Sequence, residues 1–80
     1  MNVRVLLFAS YADAAGVSEL RVEVTPGATV GELVERVRQR LGSATLPPQP
    51  LVAVNQVYAR ADLRVAEADE VAIIPPVAGG

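Results

Sequence analysis

The sequence contains no cysteine, no histidine and no lysine. The lack of cysteine excludes a disulfide framework, thiolate metal sites and a cysteine nucleophile. The lack of histidine removes the usual general base at neutral pH and the commonest metal ligand. All seven basic residues are arginines, and with nine acidic residues they give a net charge of −2. We therefore expect neither a metal site nor a nucleic-acid interface held by phosphate contacts.

Long apolar runs are also missing. The longest are residues 5–9 and 71–78, and Pro75 and Pro76 interrupt the second. Neither run can span a bilayer, and the first is too short for the apolar core of a secretory signal. The 80 residues are 51% hydrophobic and 20% charged, which is the composition of one small globular domain. The sequence predicts a cytoplasmic domain that does not contact membranes.

Five segments have the residue types or the apolar–polar alternation of β-strands. They are residues 3–9, 20–24, 51–54, 57–58 and 71–74. A short helical turn over residues 12–15, ended by Gly16, is predicted between the first two strands. The short link makes these two strands an antiparallel hairpin. Asn55 and Gln56 are predicted to form the turn between the third and fourth strands.

One substantial helix is predicted between the second and third strands. Thr29 and Glu32 have the spacing of a capping box, and Gly42 follows the last apolar position. Apolar residues recur at helical spacing at Val30, Leu33, Val34, Val37 and Leu41. Residues 43–50 contain three prolines and are predicted to be a loop. The helix therefore has one apolar face that needs a second layer.

The helix must cover one face of one sheet, because neither has anything else to pack on. The order strand, strand, helix, strand, short strand, strand predicts an α+β roll of the β-grasp (ubiquitin-like) type. Such a fold has a mixed sheet of four to five strands with one main helix packed on one face. The first and last strands, which are nearly all apolar, are placed side by side in its middle. We assign residues 1–75 to this domain and residues 76–80 to a flexible C-terminal tail ending in two glycines.

The sheet face away from the helix is predicted to bind a partner. If the odd-numbered residues of the first strand point toward the helix, alternation turns Leu6 and Phe8 away from it. The same rule turns Ile74 outward in the last strand, and Tyr58 is expected nearby. An exposed apolar patch of this kind usually marks a partner-binding surface. Under the alternative, these residues are scattered singly over the surface and have no such meaning.

The side chains include no catalytic constellation. The serines have no histidine or lysine to activate them. The only adjacent acidic pair, Asp69 and Glu70, is expected in a solvated turn rather than in acid–base catalysis. The chain is therefore not expected to act as an enzyme on its own.

The C-terminal tail is the part of the chain whose terminal carboxylate could take part in a reaction. Pro75 and Pro76 stop the last strand, and the four residues after them reach about 13 Å when extended. The residues after Val77 are small, so the tail can thread a narrow channel and carry its terminal carboxylate into another protein's active site. A frayed end is the alternative.

A carboxylate needs activation, most simply as an acyl-adenylate from ATP. Attack by an amine then gives a protein conjugate, and attack by sulfur gives a thiocarboxylate.

Several motifs along nearly the whole chain match one known family. They are residues 5–10 followed by Ala14, Ala15 and Gly16; Thr29 and Val30 with Leu33; residues 52–56; residues 69–72; and Pro75, Pro76 and Val77 before Gly79 and Gly80. With these motifs the sequence resembles the small, sulfur-carrier subunits of molybdopterin synthases. The last motif is the most specific, because its position at the end is part of the signal.

The resemblance implies a mechanism centred on Gly80. An adenylating enzyme related to ubiquitin-activating enzymes uses ATP to form an acyl-adenylate at this residue, and sulfur transfer makes the thiocarboxylate. The tail then enters the large synthase subunit in a two-plus-two heterotetramer, and the sulfur passes to cyclic pyranopterin monophosphate in molybdenum cofactor biosynthesis. The residues that would thread into the large subunit are Pro75, Pro76, Val77, Ala78 and Gly79.

The resemblance also implies that this chain is a non-catalytic sulfur donor without a permanently bound cofactor, since the family's catalytic side chains belong to the large subunit. Family members dock through an apolar sheet face, and Phe8, Tyr58 and Ile74 occupy the matching positions. Three alternatives stay open at this point. They are a related sulfur carrier for thiamine synthesis or tRNA thiolation, a modifier that forms isopeptide bonds with lysines, and a binding module whose tail does no chemistry.

Overall fold

The computed structural model describes residues 1–42, residue 46 and residues 50–75. Its elements in chain order are β1 (Asn2–Leu7), α1 (Ala9–Ala15), β2 (Glu19–Glu23), α2 (Val30–Leu41), β3 (Leu51–Val54), β4 (Val57–Tyr58) and β5 (Glu70–Ile74). The predicted order of the strands and the main helix is confirmed. Within the described ranges, no helix is long and apolar enough to cross a membrane.

The strands form one sheet in the order β2-β1-β5-β3-β4. β1 and β5 lie side by side in its centre and are parallel, with Val5 opposite Val71 and Leu7 opposite Ile73. The β1–β2 and β3–β5 pairs are antiparallel. The sheet is therefore mixed, and its most apolar strands are central, as predicted, because neighbours on both sides exclude water from them.

Alternation along the central strands buries one face of the sheet. Val3, Val5, Val71 and Ile73 are each 0% exposed. The buried residues of α2 in the same core are Val30, Leu33, Val34 and Val37. The predicted inward-facing set is confirmed, and its burial is the main source of stability in a domain this small.

Hydrogen bonds confirm the predicted ends of α2. The Thr29 hydroxyl accepts from the Glu32 N–H at 3.2 Å, and the Glu32 carboxylate accepts from the Thr29 N–H at 3.0 Å. This reciprocal capping box satisfies two N–H groups that have no partner inside the helix. At the other end, the Gly42 N–H donates to the Arg38 carbonyl at 2.8 Å.

The first helix is longer than predicted. It begins at Ala9 rather than at residue 12, and β1 ends at Leu7 rather than at residue 9. The Phe8 carbonyl accepts from the N–H groups of Tyr11 and Ala12, and Tyr11 is buried in the core. Burial of this large ring favours the helical turn over the strand conformation that the local residue types prefer.

One core residue comes from the segment that was predicted to be a loop. Leu46 is 0% exposed, and its carbonyl accepts from Arg38 Nε, in the last turn of α2, at 3.1 Å. Its sequence neighbours are small, polar or proline residues, so no periodic pattern marks it. Only the tertiary contact with α2 makes Leu46 part of the core.

Leu46→Ala should lower the free energy of unfolding by about 2–5 kcal/mol, because it removes a fully buried side chain and leaves a cavity. Leu63→Ala is the matched control, since Leu63 is 44% exposed and its truncation should cost about 1 kcal/mol or less. Urea unfolding followed by circular dichroism measures both losses. Equal losses in the two variants would contradict the assignment of Leu46 to the core.

Candidate docking face

The four apolar residues predicted to face away from the helix line one concavity on the outer face of the sheet. Its apolar lining consists of Leu6, Phe8, Ala53, Tyr58, Ala72 and Ile74. Gln56 and Glu70 complete it with polar groups. We call the surface formed by these eight residues the docking face.

The strand register explains the concave shape. Leu6 lies opposite Ala72, Ala72 opposite Ala53, and Ala53 opposite Tyr58. These four residues form one row across β1, β5, β3 and β4, because side chains on one face of neighbouring strands stand side by side. Two methyl groups occupy the middle of the row and a larger side chain stands at each end. The row is therefore a shallow depression with apolar walls.

Large apolar side chains on the outer face are open to water. Tyr58 is 70% exposed, and Phe8 and Leu51 are each 46% exposed. Leu51 lies opposite Ile74 and extends the apolar surface beyond the docking face. Sequence reasoning missed Leu51, although alternation with the buried Val52 places it outward. A contiguous exposed apolar surface is typical of a protein-binding site.

The half of the outer face nearer to β2 is charged instead. Arg4 Nε lies 2.8 Å from Glu19 Oε1, and Arg4 Nη1 lies 3.7 Å from Glu70 Oε2. The hydrogen bond to Glu19, followed by the charges of the two carboxylates, raises the pKa of Arg4 above its ordinary value. These exposed pairs contribute little to stability. They give the docking face a charged border on one side.

A hydrogen-bond network positions the β3–β4 turn at the edge of the docking face. Asn55 Nδ2 donates to Asp69 Oδ1 at 3.0 Å, and Asn55 Oδ1 accepts from the Glu70 N–H at 3.0 Å. The Asp69 carboxylate also accepts from the Ala66 N–H at 2.7 Å. Asp69 and Glu70 thus make structural contacts, and in the described part of the chain no group of three or more acidic residues could hold a metal ion.

The tail leaves the sheet beside the docking face. β5 ends at Ile74, directly before the prolines that were predicted to stop it, and Pro75 is half-buried. The other tail residues singled out from the sequence, Pro76, Val77, Ala78, Gly79 and Gly80, lie outside the described residues. Because Ile74 itself lines the docking face, the tail starts at the border of this surface.

Sequence comparison identifies related proteins along the whole chain. Residues 5–80 match the model of the ThiS family. The chain is 36% identical to the molybdopterin synthase sulfur carrier subunit of Chlamydomonas reinhardtii, and the match covers 100% of both chains. It is 32% identical to the protein of the same name from Drosophila melanogaster, over 100% of this chain and 92% of the relative.

Solved structures share the fold. SAMP1 of Haloferax volcanii is 30% identical, with a TM-score of 0.83 over 100% of both chains. In a complex of subunits 1 and 2 of the Helicobacter pylori molybdopterin-converting factor, the matching chain is 18% identical, with a TM-score of 0.70 over 100% of both chains. The likeness to SAMP1 confirms the predicted β-grasp fold.

Asn55→Ala should lower the free energy of unfolding by about 1–2 kcal/mol, because the Glu70 N–H and an Asp69 oxygen lose their partner. Asn55→Asp places a second carboxylate against Asp69, so its destabilisation should be larger at pH 7 than near pH ~4, where carboxyl groups begin to bind protons. Thermal unfolding at the two pH values measures both effects. If acidification does not reduce the difference in melting temperature between Asn55→Asp and wild type, the proposed network is contradicted.

Proposed function

The chain belongs to the ThiS family as a molybdopterin synthase sulfur carrier subunit of molybdenum cofactor biosynthesis, and we propose that Gly80 carries the sulfur as a C-terminal thiocarboxylate. The observation that carries the proposal is the family match, which continues through the tail to residue 80. Gly79 and Gly80 have no side chains that could shield the terminal carbonyl carbon from attack.

Loading of sulfur requires activation, because a carboxylate is a poor electrophile. In the proposed reaction, a ubiquitin-activating-type adenylating enzyme binds the tail together with ATP. The Gly80 carboxylate attacks the α-phosphorus of ATP, pyrophosphate leaves, and an acyl-adenylate forms. A sulfur nucleophile in the oxidation state of sulfide then attacks the acyl carbon. The bond to AMP breaks, and the thiocarboxylate remains.

Delivery of sulfur takes place in the large synthase subunit under this proposal. The thiocarboxylate sulfur attacks a carbon of cyclic pyranopterin monophosphate, a carbon–oxygen bond at that carbon breaks, and the oxygen leaves with its phosphate or as water. Water then attacks the acyl carbon, the acyl–sulfur bond breaks, the sulfur stays on the pterin, and the Gly80 carboxylate is restored. The chain has no cysteine, histidine or lysine. We place the groups that move protons during transfer in the large subunit, and in this proposal the chain contributes the sulfur and the surface that is recognised.

We assign the docking face to the contact with the large subunit in a two-plus-two heterotetramer. Ile74 lines this face and Pro75 follows it directly, so a partner that covers Ile74 also holds the start of the tail. Four residues such as 77–80 reach about 13 Å when fully extended, which suits a domain of residues 1–75 that docks while residues 76–80 enter an active site. The complex of subunits 1 and 2 from Helicobacter pylori supports the contact with a second subunit.

A lysine-conjugating modifier is the second candidate function. It is favoured by the likeness to SAMP1 of Haloferax volcanii, which is a small archaeal modifier protein. Both functions begin with the acyl-adenylate at Gly80. They differ in the nucleophile that attacks next, because an amine gives an isopeptide bond and sulfur gives the thiocarboxylate.

Incubation with ATP, sulfide and the cognate adenylating enzyme should change the intact mass by one sulfur-for-oxygen exchange. Tandem fragmentation should place the exchange at Gly80. The reaction without ATP is the control, and a variant with one alanine added after Gly80 should stay unmodified. Gly80 linked to a lysine of another protein in native material would favour the modifier, and an unmodified terminus in the complete reaction would overturn the carrier function.

Phe8→Arg should weaken binding to the large subunit about 10- to 100-fold, because it puts a charge where the partner buries an apolar ring. Val17→Arg is the matched control. Val17 is 45% exposed, against 46% for Phe8, but it does not line the docking face, so its substitution should leave the affinity unchanged. Isothermal titration calorimetry measures both affinities, and equal losses would contradict the assignment of the docking face.

A further inference from the structure

The β3–β4 turn holds two consecutive non-glycine residues in the left-handed region of the backbone. The φ angle is 51° at Asn55 and 71° at Gln56. Two-residue hairpin turns with positive φ at both positions favour Asn followed by Gly, since glycine adopts positive φ without a steric penalty. Asn55 fits this preference. Gln56 occupies the position where glycine would adopt a positive φ without a steric penalty, so the backbone of the turn is strained at this residue.

Structural contacts account for Asn55 but not for Gln56. The Asn55 side chain bonds to the Asp69 carboxylate and to the Glu70 N–H, each at 3.0 Å. The Gln56 side chain is exposed, and within residues 1–42, 46 and 50–75 its amide has no hydrogen-bond partner. Glycine at position 56 would therefore relieve the strain and lose no hydrogen bond.

The Gln56 side chain lies on the docking face, beside an apolar lining that includes Phe8 and Tyr58. The Glu70 carboxylate on this face lies 3.7 Å from Arg4, and the Tyr58 hydroxyl offers one donor and acceptor. Gln56 is therefore the docking-face residue with the largest uncommitted and uncharged set of hydrogen-bond groups, two donors and one acceptor. Strained backbone conformations persist where a ligand or partner is bound.

We propose that Gln56 is a specificity contact of the docking face and that its carboxamide hydrogen-bonds a main-chain peptide group of the bound partner. The proposal rests on the proposed function, because the large synthase subunit is the partner meant. A carboxamide presents one acceptor and two donors, which matches the donor and acceptor of a peptide group.

The neighbouring network prepares this contact. Asn55 ties the turn to the start of β5, so the backbone of Gln56 is held before the partner arrives. Holding a binding group in place reduces the conformational freedom that is lost on association. The apolar residues of the docking face provide contact area, whereas the directional bond from Gln56 rejects a partner surface without a peptide group at this point.

The test compares stability and affinity in the same variants of the full chain, with the purified large subunit as the binding probe. Gln56→Gly should raise the melting temperature by about 4 °C, because it relieves the strained φ. The same variant should bind the large subunit about 3- to 10-fold more weakly, because one neutral hydrogen bond is lost. Gln56→Met keeps the length of the side chain and the strained backbone, so it should lose the affinity without gaining stability.

Gln39→Ala is the control for removal of an exposed glutamine, because Gln39 lies on α2, on the opposite side of the sheet from the docking face. Its affinity should equal that of wild type. A more stable Gln56→Gly variant with wild-type affinity would overturn the inference while leaving the proposed function intact. A wild-type chain that does not bind the large subunit would overturn the proposed function, and the inference with it.

Discussion

One helix can cover only one face of the sheet, and most of this structure follows from that limit. α2 covers the inward rows of β1 and β5, where Val3, Val5, Val71 and Ile73 lose all contact with water. The outward rows also carry apolar residues, Leu6, Ala72 and Ile74, yet no second layer covers them in the described part of the chain. Exposed apolar surface of this extent is unfavourable in water unless a partner removes it. The proposed docking function is therefore tied to the architecture itself.

The parallel pairing of β1 with β5 has a second consequence. It places the last strand in the centre of the sheet, so Pro75 follows a central strand whose last residue, Ile74, lines the docking face. Under the proposed function, recognition through the docking face and delivery of the tail are therefore coupled at Ile74.

The β3–β4 turn contributes to the stability of the domain and, in our proposal, to recognition of the partner. Asn55 uses its side chain to hold β5 against the turn. Gln56 has a strained backbone, and among the described residues its side chain makes no hydrogen bond. A domain of 80 residues has a thin margin of stability, so a strained residue with no structural role is informative. Its position on the docking face is the reason to propose that the strain serves binding.

The sequence by itself determined the features that depend on neighbours along the chain. Alternation indicated the inward and outward residues of the strands, and the spacing of Thr29 and Glu32 indicated the start of α2. The terminal glycines are the basis for the prediction of a carrier tail. Only the tertiary structure decided the burial of Leu46, the early start of α1 at Ala9, and the row in which Ala72 and Ala53 separate Leu6 from Tyr58. These features depend on register and packing between segments far apart in sequence, and periodicity within one segment contains no information about the position of another.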